Sequence, residues 1–477
     1  MSEPDGRAPE KRPDQPELVQ SGTFLVDRGR ALRRLRDYQF EDPKAFLLPW
    51  VRCAVLSGAT GIDAQVAGEG LVLSFDGTPL DPRHFRNPYA ALFEDDPDGE
   101  RYRHIAVGLL AALRLQPKIV TVASGSGGER HRLSVFSLEE PETFAPFFDQ
   151  ESRTEIALSW PESVMAVVGL SPGAANSDGA LARLKAACGM LRVPLRIAGK
   201  KVPGAAEGDY PAVSFEEDGV RSVLVAREFG KPKEVMLYRQ GVRVMSKPHD
   251  SELSFVAHVD DERFRLDASH GKVIEDEAVE GSDGRAVARH VDELLLKVCE
   301  EQTRRASSQS RDALTVSGLT GLSLAVRARL ALRGAVSITG AEKLAAIEKE
   351  SWLANWLRSA ARTRLDRNML EYFESLSPAL KALWNVPVYV SVTGKPLSLR
   401  DLGFQWKRIH RVPYSNPQIR YPDPWVFGFE PTVHIVWLMD EGDPCLHTLF
   451  RGNVREWGAL DTAWELTKLA ARKVAGR

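Results

Sequence analysis

The part of this sequence best suited to chemistry lies at residues 47–80, where a carboxylate and several glycines stand close together. The segment LLPWVRCAVLSGATGIDAQV predicts a helix that runs into a Gly58-Ala59-Thr60 turn and then a strand. LSFDGTPL follows, and it predicts a second strand that ends in an Asp76-Gly77 turn. A side-chain carboxylate and backbone N–H groups at glycine turns are groups that can bind a polar ligand. This segment is therefore the first candidate site.

The order of these motifs resembles the opening of the GHKL ATPases, which include gyrase, the ninety-kilodalton heat-shock chaperone, histidine kinases and mismatch-repair ATPases. In the mismatch-repair branch the helix reads ELVENSLDAGATRID and the next motif reads DNGxGI. The residues from Gly58 to Thr60, with Ile62 and Asp63, match the first motif without a gap. Asp76-Gly77 falls on the Asn-Gly of the second motif. The resemblance implies a Bergerat-type ATPase domain.

In that superfamily a helix Glu activates the attacking water, an Asn one turn later binds Mg²⁺, and an Asp contacts the adenine amino group. Here the Glu position is Pro49, which cannot act as a base, and the Asn position is Cys53, a poor ligand for a hard cation. Phe75 takes the adenine position when the glycines stay aligned, although a slipped alignment would bring in Asp76. Where a glycine-rich lid belongs, RYRHIAVGLLAAL offers only Gly108. The resemblance therefore implies the layout of the ATPases without efficient hydrolysis.

A second stretch resembles the middle domain of the heat-shock chaperone. Residues 235–279 match it in order at Val259-Asp260, at Leu266-Asp267 and at Ser269. The family's next Arg reaches the γ-phosphate, whereas this chain has His270 there and Lys272 two residues on. Lys272 could reach a phosphate, although a solvated surface lysine is the simpler explanation.

The resemblance gives a conditional set of ligands and residues. If nucleotide binding is retained, ATP with Mg²⁺ would bind near Cys53, Asp76, Gly77, Gly108 and Lys272. No catalytic residue and no protein-bound metal are predicted, so an ATP hydrolase is not the favoured interpretation.

Other catalytic signatures are missing from the sequence. Residues 124–128 are glycine-rich but lack GxxxxGK[ST], so a hairpin turn is favoured over a phosphate loop. The chain has no HExxH and no GxSxG motif. Its four cysteines stand far apart with no CxxC pair, which favours a reducing, cytoplasmic setting.

The composition narrows the classes of partner that the chain is expected to bind. The chain has 477 residues and a net charge of −2, from 63 Lys and Arg against 65 Asp and Glu. This balance argues against a protein that coats nucleic acid. No apolar run approaches the roughly 18 residues that a membrane span needs. The expected partners are therefore client or partner proteins, with a homodimer as a further option.

The hydrophobic pattern predicts an α+β fold with several domains. The first 145 residues read as helices and strands of a sandwich, with helices on one face of a largely antiparallel sheet. The predicted organisation is a disordered tail at 1–17, an ATPase-fold domain at 18–148, a middle domain at 149–305 and a C-terminal α+β domain at 313–477. RRASSQSRD is the predicted linker before that last domain.

The last predicted domain holds eight of the ten tryptophans. A packed core is the preferred explanation, and an aromatic surface for a partner is the alternative. In the same domain, VHIVWLMDEGDPCLHTLF predicts a hairpin, and residues 457–474 predict a closing helix.

Three functions follow from these observations. The first is a chaperone-like or scaffolding protein with a degenerate GHKL domain, which binds protein partners with little or no ATP hydrolysis. The second is an active ATP-dependent chaperone with a rearranged nucleotide site. The third, a nucleic-acid-associated protein like the mismatch-repair branch, is disfavoured by the net charge.

Overall fold

The structure is a computed structural model. It describes residues 28–38, 42–93, 99–161, 179–228, 230–267, 271–274, 277–309, 352–391, 395–415, 435–438 and 442–457, with a few single positions between 461 and 471. The predicted tail at 1–17 lies outside the described residues, as does most of the predicted closing helix. In the described ranges no helix is both long and apolar enough to cross a membrane.

The first part of the chain forms an eight-stranded sheet with helices packed on it. The strands are β1 (Ile62–Ala67), β2 (Gly70–Phe75), β3 (Ile119–Ser126), β4 (Glu129–Val135), β5 (Thr143–Phe148), β6 (Thr154–Ser159), β7 (Leu195–Ile197) and β8 (Lys200–Lys201). Their order is β5-β4-β3-β6-β2-β1-β7-β8, and every pair is antiparallel except β1 with β7. The helices are α1 (Arg28–Tyr38), α2 (Leu47–Leu56), α3 (Pro82–Arg86), α4 (Glu100–Leu113) and α5 (Ala180–Ala187). The predicted α+β fold class is confirmed.

One hydrophobic core lies between this sheet and its helices. Alternate residues of β2, namely Leu71, Leu73 and Phe75, are buried in it, as the period of two in a strand requires. Helices α2 and α4 are apolar around most of their circumference and pack against each other on this face. Burial of this surface is the main stabilising contribution to the unit.

The first sheet continues beyond residue 148, where the sequence analysis placed a domain boundary. Strand β6 lies in the middle of the sheet, between β3 and β2. The predicted middle-domain segment 180–201 supplies α5, β7 and β8 to the same unit. Leu195, Val202 and Val242 belong to the first core. The boundary predicted near 148 therefore does not mark the end of this sheet.

A second sheet follows in the chain. Its strands are β9 (Ala212–Glu217), β10 (Val220–Ala226), β11 (Glu234–Arg239), β12 (Val242–Pro248) and β13 (Phe255–Asp260), in the order β12-β11-β13-β10-β9. The long helix α6 (Glu277–Gln309) packs against it. This helix runs through RRASSQ, part of the segment predicted as a linker, because its apolar residues Val298 and Cys299 are buried in the second core just before it.

The C-terminal elements share the core of the second sheet. They are α7 (Trp352–Arg364), α8 (Pro378–Asn385), β14 (Pro387–Val390), β15 (Pro396–Ser398), α9 (Leu399–Ile409), β16 (Val412–Ser415), β17 (Val436–Trp437), α10 (Pro444–Leu449) and β18 (Val454–Glu456). Two 3₁₀ turns, Arg367–Glu371 and Phe373–Ser375, precede α8. Trp356 and Trp384 are buried in the shared core, as the packed-core explanation predicts.

The hairpin predicted at 433–450 is wrong in its second half. Residues 444–449 form α10, and Asp443 caps that helix by accepting a 2.9 Å hydrogen bond from the backbone N–H of Leu446. Asp-Pro is a strong helix start, since Asp caps and Pro fits the first turn. This local signal outweighs the apolar alternation that suggested a strand.

Candidate functional site

The predicted glycine turn ends helix α2 and starts strand β1. Gly58 has a φ of +69°, a conformation that closes a helix and that glycine adopts without strain. The backbone N–H of Ala59 donates back to the carbonyl of Ala54 at 3.1 Å. The chain then enters β1 at Ile62, as the sequence motif predicted.

Asp76 closes this turn from the end of β2. Its carboxylate accepts hydrogen bonds from the backbone N–H groups of Thr60 at 2.6 Å and Gly61 at 3.1 Å, and from the Thr60 hydroxyl. The Thr60 hydroxyl is the main cause that lowers the pKa of Asp76, and the two backbone bonds act in the same direction. The Asp76 carboxylate, a candidate contact for a nucleotide in the sequence, therefore already makes the hydrogen bonds that hold the turn between α2 and β1.

Gly77 lets the strand end approach the helix end. Its φ is +97°, and a Cβ atom added there would lie 2.5 Å from the carbonyl oxygen of Ser57. The next backbone N–H, that of Thr78, donates to the same carbonyl at 2.7 Å. Gly77 is therefore required for packing between the two motifs.

We expect the Asp76→Asn change to lower the free energy of unfolding at neutral pH by about 1 kcal/mol, since the site is partly exposed and charge-assisted bonds there are screened. Because the pKa of Asp76 is lowered on folding, its contribution is complete above the ordinary value of 3.8 and is lost as the pH falls below it. Urea denaturation at several pH values measures this. Asp63→Asn, on β1, is the matched control, and equal losses for both variants would contradict the expectation.

Helices α2 and α4 meet at Gly108, where the resemblance implies a glycine-rich lid. The Trp50 side chain is fully buried, and its indole N–H donates to the carbonyl oxygen of Ile105 at 3.3 Å. A Cβ atom added at Gly108 would lie only 2.2 Å from Nε1 of Trp50. Gly108 therefore accommodates an indole ring, and the two helices leave no gap at this point.

The two residues that the resemblance aligns with catalytic positions are buried. Pro49 and Cys53 are both buried on α2. Burial raises the pKa of the Cys53 thiol to about 12, which keeps it protonated at neutral pH. A neutral thiol in an apolar environment does not suit Mg²⁺, which prefers charged oxygen ligands. These residues do not fit a Mg²⁺-nucleotide.

Lys272 belongs to a different part of the fold. It lies in the loop after β13, next to Val273, which is buried in the second core. The Asp267 carboxylate accepts from the backbone N–H groups of Gly271 at 3.0 Å and Lys272 at 3.1 Å. The structure therefore groups Asp76 and Gly77 at one turn and pairs Gly108 with Trp50, whereas Lys272 lies in the loop of the second unit.

A partly buried cluster of charged residues at the junction of the two sheets was not predicted. Arg52, one residue before Cys53, is only 1% exposed, and burial lowers its pKa to about 10. Glu100, at the start of α4, accepts from Arg239 at 2.7 Å and from the Gln240 side chain at 3.3 Å. An Arg among the apolar residues of α2 was the sequence signal for this cluster, because such a charge is buried only with compensating groups.

The tip of the β11–β12 hairpin is fixed within the second sheet and reaches this junction. The backbone N–H of Gly241 donates to Asp260 at 3.0 Å, and Asp260 also accepts from Arg221 at 2.9 Å. Val242, the next residue, is buried in the core of the first sheet. The hairpin of the second sheet thus inserts into the first unit beside α2 and α4.

A small cavity lies near this junction. Its volume is about 200 Å³, and its lining includes Cys188, Arg192, Pro194, Lys201 and Glu207. None of the five predicted site residues lines it. Pockets for cofactors and drug-sized ligands are usually about 300–1,000 Å³, so this cavity is small for a nucleotide.

The similarities to known proteins are found among solved structures. No family model and no curated protein matches the chain. Among solved structures, the ATPase region of Saccharomyces cerevisiae topoisomerase II is similar at a TM-score of 0.36 and 7% sequence identity. That similarity covers 50% of this chain and 78% of the other. It is too low to assign a family, and the α+β fold rests on the sheets described above.

Proposed function

We propose that this protein is a chaperone-like or scaffolding protein whose first unit is a degenerate GHKL-type domain, and that it binds protein partners with little or no ATP hydrolysis. The support comes from the first unit itself. Helix α2, the Gly58 turn, β1, β2 and the Asp76-Gly77 turn follow one another in the order that the resemblance implies.

The contact between Trp50 and Gly108 is the observation that carries the proposal. An indole occupies the space between α2 and α4, and Pro49 and Cys53 are buried beside it. A nucleotide site there would need a polar opening, and opening one would expose the fully buried Trp50 side chain. The fold can therefore persist while the chemistry of hydrolysis is absent.

We expect no saturable heat when the protein is titrated with MgATP up to about 1 mM, the upper end of usual KM values. Phosphate release should match that of the protein-free buffer. The Asp76→Ala variant serves as the control, since Asp76 is the one candidate contact that a slipped alignment retains. A micromolar dissociation constant that Asp76→Ala abolishes would overturn the proposal in favour of an ATP-dependent chaperone.

A further inference from the structure

We propose that the exposed face of α9 is a docking surface for an acidic segment of a partner protein. The surface, here called the α9 patch, consists of Arg400, Phe404, Lys407 and Arg408 on α9 with Tyr372 and Phe373 beside them. The proposal extends the protein-binding role suggested above, but it does not depend on whether ATP is hydrolysed.

Helix α9 has one face fixed against the protein and the other in solvent. Ser398 and Asp401 form a capping box at its start, and His410 ends it in a left-handed conformation. Leu399, Leu402 and Gly403 are buried, and a Cβ atom at Gly403 would lie 2.4 Å from a Leu370 methyl group. The opposite face therefore presents the α9 residues of the patch, which are spaced i, i+4, i+7 and i+8.

Two aromatic rings are exposed in the α9 patch. Phe404 is 52% exposed and Tyr372 is 51% exposed. The Arg400 guanidinium carbon lies 4.2 Å from the centroid of the Phe373 ring and 5.3 Å from that of Phe404. A guanidinium that is already held by aromatic rings is ordered before binding, so it loses less entropy when it binds a carboxylate. Exposed aromatic and Arg side chains are also the types most often found at interface hot spots.

Two charges of the α9 patch, those of Arg400 and Lys407, have no acidic partner within the described part of the chain. Arg400 and Lys407 have no carboxylate at ion-pair distance there, and the one hydrogen bond of Arg400 goes to Asn385. Other arginines of the same region are paired, Arg364 with Asp292 and Arg358 with Asp443. Asp401 is occupied by its capping bonds to Ser398.

The sequence around α9 also has an excess of basic residues. Residues 362–411 contain nine Lys and Arg against four Asp and Glu, in a chain whose net charge is −2. A local excess of cations beside exposed rings is complementary to a segment that carries carboxylates and an apolar side chain. This complementarity identifies the class of partner.

A protein segment suits this patch better than a nucleic acid does. Glu371 and Glu374 are exposed on either side of Tyr372, and Glu374 is 86% exposed. A nucleic acid that stacked a base on Tyr372 would bring its phosphates close to these two carboxylates, which would repel them. Nucleic-acid sites instead follow a continuous basic track. A short peptide can place its carboxylates at Arg400 and Lys407 alone.

The test is fluorescence anisotropy with the full chain and a fluorescein-labelled peptide of repeating Glu-Glu-Trp. We expect saturable binding at low salt that weakens as salt rises, because the contacts are exposed ion pairs. Phe404→Ala and Lys407→Glu should each weaken binding about tenfold, which is about 1.4 kcal/mol. Both side chains are exposed, so the variants should fold, and circular dichroism checks this.

The matched controls are Phe148→Ala, at a ring that is 90% exposed on β5, and Arg33→Gln on the exposed side of α1. Both should bind the peptide like the unchanged protein. The proposal is overturned if the acidic peptide does not saturate, or if the patch variants bind it as well as the controls do. It is also overturned if labelled oligothymidine binds more tightly and loses that binding in Lys407→Glu, because the patch would then serve nucleic acid.

Discussion

Replacing Gly108 by alanine is expected to destabilise the protein by about 1–3 kcal/mol, the usual cost of overpacking a core. The sign of this change in stability is diagnostic, because Gly→Ala in a helix interior normally stabilises a protein by about 1 kcal/mol. The added methyl group would lie 2.2 Å from Nε1 of Trp50, so the indole or the helix would have to move. Urea denaturation measures the loss.

The reciprocal change tests the same contact from the other side. Trp50→Ala removes a fully buried side chain and should cost about 3–5 kcal/mol. The double variant, Trp50→Ala with Gly108→Ala, should lose less stability than the two single variants together, because the clash disappears with the indole. The interaction free energy from this double-mutant cycle is the decisive quantity.

Gly61→Ala provides the matched control for Gly108→Ala. No atom lies within 4 Å of a Cβ added at Gly61, and its backbone N–H, which donates to Asp76, is kept. We expect this variant to stay within about 0.5 kcal/mol of the unchanged protein, as surface substitutions usually do. Equal stabilities for both alanine variants would show that α2 and α4 are not in close contact, and the proposal of a filled site would lose its main support.

The local motifs of the first unit could be predicted from the sequence. Helix α2, the turn at Gly58 and strands β1 and β2 follow from apolar periodicity and from glycine at positive φ, both of which act within a few residues. The approach of Asp76 to Thr60 could be inferred only through the resemblance, because sixteen residues separate them.

The long-range parts could not be predicted. Strand β6 inserts between β3 and β2, and nothing in its own alternating pattern specifies those neighbours. The Gly108 position was predicted as the remainder of a lid, whereas it accommodates Trp50, a residue 58 positions away that no local pattern connects to it. Arg52 was missed for the same reason, since its compensating groups lie on α4 and on the second sheet.

The second large effect is expected at the hairpin that joins the two sheets. Gly241→Ala should cost about 2–4 kcal/mol, combining overpacking with the strain of alanine at positive φ. Gly241 has a φ of +75°, and an added Cβ would lie 2.6 Å from Cα of Leu191 and 2.8 Å from its backbone nitrogen. Backbone atoms cannot turn away as a side chain can, so the hairpin would have to withdraw from the first unit.

Gly219→Ala separates this collision from backbone strain. Gly219 has a φ of +78° in the equivalent two-residue turn between β9 and β10, and nothing lies within 4 Å of its added Cβ. Both variants place alanine at a similar positive φ, so the backbone strain is the same in both. The difference between their losses in free energy of unfolding, about 2 kcal/mol, measures the clash alone. Hydrogen exchange at residues 239–242 should accelerate only in Gly241→Ala. If both variants lose the same stability and exchange alike, the hairpin is not held against Leu191, and the buried charge of Arg52 does not depend on the position of the hairpin.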